Sequence, residues 1–452
     1  FGSSFWPVYS QLAAAGGLLC HGRSHRSIVS VMISLLAFVA ASYVVPAAWA
    51  DSYTFIEEEA PPQSVLEGRY MFHVYSLNDS PGPKDAEAQV TFTGFRLRRE
   101  DGEAPTDARV AVGMLPFEEF GNLLDSTTFC GDPMEGGFEP KFKQHESVAH
   151  AHWHVVRSPS DSDVTYDLKR SGPYLMVVAH CKARGGPEKL WISGSVVVKN
   201  PYGYLAGTDF GKTRAYVCFA LAYVVALLGW GVLSFINRHK LDRIIHSTIT
   251  CVLVAGLLES VAYVAFYTQA NTSPVSRKDS ALLLFAQAMG VVKITNFILV
   301  FRFDVEDVGA CKEQAIVYMV MLVFIAAATL KVTLQSVRHH FAVTDSMWLS
   351  SMLAMAVVGA GTFTWVMRGL AGKMQRCREL GEERMLTLYQ RMALLALCLV
   401  ASSTVVACAQ YFDVPGQRFT VWYYHALVDD WVPQAIAFAA IVLITCMWQP
   451  SE

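Results

Sequence analysis

Between residue 51 and residue 200 apolar and polar positions alternate over short runs, and beyond residue 210 the alternation gives way to long apolar stretches. The first pattern is carried by "YMFHVYS" (70 to 76), "AQVTFTGFRLR" (88 to 98), "ARVAVGML" (108 to 115), "PYLMVVAHC" (173 to 181) and "LWISGSVVVK" (190 to 199). Gly, Pro, Asp and Ser punctuate these runs. A period of two bounded by turn residues predicts strands, and this many short strands predict a compact all-β sandwich over 51 to 200. The second pattern predicts seven membrane-spanning helices at 213 to 236, 244 to 267, 281 to 303, 314 to 335, 347 to 369, 388 to 411 and 431 to 448, each close to the roughly 20 residues a helix needs to cross a bilayer. Residues 201 to 212 read as the junction, and 213 to 452 as the helical domain.

The first 50 residues read as a leader. Basic "HGRSHR" (21 to 26) precedes the apolar run "IVSVMISLLAFVAASYVV" (28 to 45), and Ala48 and Ala50 satisfy the small-x-small cleavage rule. This is the pattern of a secretory signal peptide, with a retained membrane anchor as the alternative. A luminal sandwich makes the connectors after the first, third and fifth helices cytosolic. They carry Arg238, Lys240, Arg243, Lys312, Arg368, Lys373, Arg376, Arg378 and Arg384, against Arg277, Lys278, Arg338 and Arg418 on the other side, in agreement with the positive-inside rule.

Composition narrows the function classes. Hydrophobic residues make up 53% of the chain and charged residues 17%, and a net charge of −3 supplies no basic field for nucleic acid. The expected contacts are with membrane lipids. Of ten cysteines only Cys130 and Cys181 fall within the sandwich region, where an oxidising lumen would join them most simply in one disulfide. Asn78 and Asn271 open glycosylation sequons, each followed by a proline that weakens it. There is no Gly-rich phosphate loop, GxSxG elbow or HExxH pair, so the chain is not read as an enzyme and no cofactor is expected.

Three groups of polar residues remain. Glu259 and Lys293 lie within apolar stretches, about 12 Å and about 18 Å from the luminal ends of their helices at about 1.5 Å per residue. An ionisable group at that depth costs several kcal/mol alone, so the two are expected to pair, either as a packing bridge or beside a wet cavity. Asp429 and Asp430 stand where the seventh helix begins, as an N-cap favoured by the helix dipole or as the luminal mouth of a cation path. Third, "VAHAHWHVV" (148 to 156) puts His150, His152 and His154 on one strand face and Ala151, Trp153 and Val155 on the other. The second face is expected in the sheet core, leaving the imidazoles at the surface. A metal site would need a further ligand such as His145 or His180, and no metal is assigned. An exposed row of histidines would instead gain charge in a mildly acidic lumen.

Five stretches in order carry a family resemblance: "NPYGYLAGTDFGKTRAYVCFALAYVVALLGW" (200 to 230), "LLESVAYVAFY" (257 to 267), "AMGVVKITNFILV" (288 to 300), "LTLYQRM" (386 to 392) and "VDDWVPQAIAFAAIVLITCMWQPS" (428 to 451). Together they resemble the GOST family, in which a luminal Golgi-dynamics (GOLD) domain precedes seven helices of the lung seven-transmembrane receptor type. The resemblance implies a Golgi membrane protein, with endosomes or the plasma membrane as further stations, that assists membrane-protein trafficking by recognising cargo or a luminal partner. It also implies a cavity between the helices, lined by Glu259 and Lys293, in which a phospholipid binds. The chain departs from the family after its third helix, where "RFDVEDVGA" (302 to 310) replaces the usual Gly-Tyr-Gly segment and proline. An ion channel or ion and pH homeostasis protein of the Golgi is the alternative reading. An orphan seven-transmembrane receptor is a further one, although "VFRFDVED" (300 to 307) makes a poor counterpart to a DRY motif.

Overall fold

In a computed structural model the described residues are 52–60, 66–74, 87–99, 108–116, 152–157, 163–182, 189–236, 243–273, 281–302, 319–330, 345–412 and 430–448. The expectations that fall on the leader, Asn78, Cys130, His145, His150 and Asp429 lie outside them.

Among the described residues eight strands form two four-stranded antiparallel sheets: β1 (Ser52–Glu59), β2 (Leu66–Val74), β3 (Ala88–Arg99), β4 (Ala108–Pro116), β5 (His152–Arg157), β6 (Val164–Leu168), β7 (Gly172–Lys182) and β8 (Leu190–Lys199). One sheet has the order β1-β8-β3-β6 and the other β2-β7-β4-β5. Both contribute to a single hydrophobic cluster: Val90, Phe92, Leu168 and Val198 from the first, Phe72, Val112, Met114, Val156 and Met176 from the second. The inner faces of the two sheets thus share one core.

β3 shows how the sequence sets this core. Ala88, Val90 and Phe92 are buried, and then the phase slips by one residue so that Phe95 and Leu97 are buried in turn. The slip is a β-bulge between Thr93 and Arg96, where Gly94 adopts φ 64°. Gly194 of β8 faces it at φ 152°, and a β-carbon there would sit 2.7 Å from the Phe95 ring. Glycine at both positions lets one strand present two phases of aromatic residues to the same core.

Beyond the sheets and the junction the described residues are mainly helical. The helices are α1 (Phe210–Ile236), α2 (Arg243–Thr272), α3 (Ala281–Arg302), α4 (Met319–Leu330), α5 (Asp345–Leu380), α6 (Glu383–Phe412) and α7 (Val432–Met447). Among the described residues α1, α2, α3, α5 and α6 are long and apolar enough to cross a membrane. Among the described residues α4 and α7 are shorter apolar helices, lying within the 314–335 and 431–448 spans expected for them. The described helix of α7 rises about 24 Å at about 1.5 Å per residue, and Pro433 stands in its first turn.

Half of the apolar window is buried in α2 and in α3, against 11% in α1, so α2 and α3 form the centre of the bundle. Their inner faces join Tyr223 and Trp230 of α1, Leu370 of α5, Met392 of α6 and Ile441 of α7 in the main helical core. Leu221, Val225 and Leu228 of α1 are exposed, as the hydrocarbon-facing side of a membrane helix requires. α5 and α6 meet in a tight turn at Gly381, φ 72°, where the Glu382 amide donates to Cys377 O at 2.9 Å. This Schellman-type closure keeps "KMQRCREL" helical to its last residue.

Candidate functional site

The two buried charges expected from the sequence meet in the structure, and a third residue joins them. Lys293 Nζ of α3 lies 2.5 Å from Glu259 Oε2 of α2 and donates to Gln434 Oε1 of α7 at 2.7 Å. Gln434 Nε2 donates in turn to Glu259 Oε1 at 2.9 Å. Each carboxylate oxygen therefore has its own partner, and the amide closes a ring across three helices. Glu259 is 4% exposed and Lys293 3% exposed. At this depth the opposite charge and the hydrogen bonds offset the desolvation of both groups.

Glycines make room for the ring. A β-carbon at Gly290 of α3 would fall 2.9 Å from Glu259 Oε1, so α2 and α3 approach closely enough for the pair only because that position is bare. A β-carbon at Gly256, one turn before Glu259, would overlap the Tyr223 ring of α1. That ring is 1% exposed and meets Phe438 of α7 edge-on, with centroids 5.0 Å apart. Gln434 and Tyr223 were not singled out from the sequence. The signal for Gln434 was a lone amide in the apolar run "VPQAIAFAAIV" (432 to 442).

A second polar cluster lies at the end of the bundle that adjoins the sheets. Lys212, in the first turn of α1, is 3.0 Å from Asp209 Oδ1 and 2.6 Å from Asp430 Oδ2. Asp430 was expected to cap α7; instead Trp431 occupies the N-cap position, no side chain caps the helix, and Asp430 reaches across to α1. Lys212 outcompetes the capping role because it offers a full positive charge where the helix offers partial ones.

Beside this cluster Asn271, near the end of α2, holds the junction. Its Nδ2 donates to Tyr202 O at 2.9 Å, its Oδ1 accepts from the Leu205 amide at 3.3 Å, and its carbonyl accepts from the Tyr204 amide at 3.1 Å. Gly203, φ 135°, passes so close that any β-carbon would overlap Asn271. Asn200, 1% exposed, closes the loop from the other side by donating to Leu205 O at 2.9 Å. Asn271 also opens one of the two expected glycosylation sequons, and its half-buried amide nitrogen is engaged here with Tyr202.

Between the two clusters stand Tyr216 of α1 and Tyr263 and Tyr267 of α2. Tyr216 stacks on Tyr263 with ring centroids 4.4 Å apart, and Tyr263 lies 5.9 Å from Tyr267.

The histidine face is the reverse of the one expected. His154 is 5% exposed, with its ring 5.5 Å from Phe92 and 5.7 Å from Phe95 of the opposite sheet. His152 stacks on Tyr166 at 5.2 Å. Both share their face with Val156, which belongs to the core, so the even positions of β5 point inward. Aromatic partners on β3 and β6 accept the flat imidazoles, which is why this face can be buried. His180 and Cys181 lie in β7, where their backbones pair with Val110 and Arg109. Among the described residues no group of three or more His, Cys, Asp or Glu is placed to hold a metal ion.

No family model matches the chain. It is similar to Transmembrane protein 87A of Xenopus tropicalis, with 24% identity over 303 residues, covering 64% of this chain and 53% of that protein. The chain spans about half the length of this curated relative. The apolar helices and this likeness agree on one conclusion: the chain is a membrane protein with a strand-rich, antiparallel N-terminal region.

Proposed function

We propose that the protein is a GOST-type seven-helix protein of the Golgi and post-Golgi membranes, whose two-sheet domain is a GOLD-like luminal sandwich that recognises cargo or a partner during membrane-protein trafficking. The observation that carries this reading is the fusion itself: a two-sheet domain held at one end of a helix bundle by the Asn271 junction. Among the described residues β1, β2, β5 and β6 are the edge strands, and an edge offers the backbone groups through which an extended partner segment binds. Likeness to a transmembrane relative supports the membrane part of the reading. The test is removal of the protein from cells followed by a quantitative inventory of surface membrane proteins. A defined set should shift to internal membranes and return with the intact chain but not with a chain lacking residues 51 to 200. An unchanged inventory overturns the reading.

An ion-conducting role is a second reading, favoured by the deep Glu259, Lys293 and Gln434 ring and by the Lys212, Asp209 and Asp430 cluster between the starts of α1 and α7. In it the ring is a gate and a lipid fills the space between helices. Purified protein in liposomes would then pass a current that Glu259→Gln alters. Liposomes with no current above empty controls exclude this reading and leave trafficking untouched.

A further inference from the structure

The ring is linked along α2 to Asn271 and along α7 to Asp430. Glu259 and Asn271 lie on α2, twelve positions or about 18 Å apart at about 1.5 Å per residue, and Gln434 lies four positions beyond Asp430 at the start of α7. Lys212 ties Asp430 to the junction segment, and Asn271 ties α2 to the same segment. Residues 200 to 212 are thus gripped at one end by α2 and at the other by α7, the helices whose Glu259 and Gln434 close the ring.

We propose that the junction and the ring form one conformational device, in which opening of either loosens the other through α2 and α7. β8 runs directly into Asn200, so a displacement of the sheet domain pulls first on the loop wrapped around Asn271. A helix resists bending over a few turns, and that pull therefore arrives at Glu259 as a shift along or about the α2 axis. Gln434 cannot follow unless α7 moves too, because Asp430 is held by Lys212. The stacked Tyr216 and Tyr263 fill the space between, so the intervening region has no slack to absorb the motion. Coupling of this kind is reciprocal. Breaking the ring must loosen the junction. The device does not depend on which partner the sheet domain takes, nor on whether the bundle conducts.

Reciprocity supplies the test. The amides of Tyr204 and Leu205 both donate to Asn271, and their hydrogen exchange reads the junction directly. Exchange is measured on the full chain in lipid nanodiscs, for the parent and for Asn271→Ala, Asn271→Asp, Glu259→Gln and Gln434→Leu. Cys398→Ala, on a lipid-facing surface of α6, is the control for substitution as such. Asn271→Ala is expected to speed exchange at both amides by about tenfold. Asn271→Asp keeps an acceptor for Leu205 and should speed Tyr204 and Leu205 less. Glu259→Gln and Gln434→Leu are expected to speed the same two amides severalfold while strands β3, β4, β7 and β8 exchange as in the parent, which shows the protein still folded. The proposal is overturned if Asn271→Ala loosens the junction and both ring variants leave it at the parent rate. It is overturned equally if Asn271→Ala itself has no effect, or if the Asn271 peptide of the native protein carries a glycan.

Discussion

Gly290 of α3 lies directly against Glu259 of α2: a β-carbon at position 290 would stand 2.9 Å from Glu259 Oε1. A free glutamate side chain could swing away from such an intrusion at little cost, but this one is held by Lys293 and Gln434. Gly290→Ala is therefore expected to lower bundle stability by about 1–3 kcal/mol, the usual range for overpacking. In a Glu259→Ala background the same change should cost far less, because the carboxylate it meets is gone. Thermal unfolding of the four proteins in detergent gives the coupling as a double-mutant cycle.

The ring makes an asymmetric prediction about charge. Lys293→Met leaves the Glu259 carboxylate buried with only the Gln434 amide, and about 3–5 kcal/mol of stability should be lost. Glu259→Gln strands the ammonium in the same way, less severely because an amide oxygen can still accept from it. Replacing both, Glu259→Leu with Lys293→Met, should be milder than Lys293→Met alone, since no charge is left behind. Chemical denaturation followed by tryptophan fluorescence ranks the three variants, and a double variant weaker than both singles would show that the ring's net contribution is attractive beyond its own desolvation.

His154 packs in the core against both Phe92 and Phe95, and substitution there should behave as a core change. His154→Gln puts an amide against two phenyl rings and is expected to destabilise the sheet domain by about 1–3 kcal/mol. A solvated histidine would tolerate glutamine within about 0.5 kcal/mol. Near-ultraviolet circular dichroism of the full chain during heating separates these outcomes. It also means that replacing the histidines together to look for proton sensing would report loss of fold before any change in charge.

The bundle was legible in the sequence because a membrane helix announces itself through length and apolarity, and the pairing of Glu259 with Lys293 followed from the cost of a lone charge at depth. The roles of Gln434 and Lys212 were not legible: the partners of Gln434, and Asp430 as the second partner of Lys212, lie more than a hundred residues away along the chain, and neither residue stands out by type. β5 shows a different limit. In "AHWHVV" (151 to 156) both alternating faces end on a valine, so the period was readable and the phase was not. Phe92, Phe95 and Tyr166 on the other sheet decide it, by offering flat aromatic surfaces to imidazoles. At Asn271 the triplet reads as a sequon, whereas its hold on the junction is not legible, because the loop it binds lies 66 positions or more upstream.

Lys212 stands between two carboxylates, and its removal should cost more than removal of either. Lys212→Met leaves Asp209 and Asp430 facing one another, both largely withdrawn from water, so their repulsion adds to the lost attraction. Asp430→Asn leaves the Lys212 to Asp209 pair intact and still offers an amide oxygen to the ammonium. The expected loss is about 3–5 kcal/mol for Lys212→Met and about 1 kcal/mol for Asp430→Asn. Because Lys212 ties α7 to the first turn of α1, limited proteolysis should show the N-terminal end of α7 cut first in Lys212→Met, while Asp430→Asn is cut like the parent. If Asp430→Asn opens α7 as readily as Lys212→Met, the aspartate holds that helix through something other than the lysine.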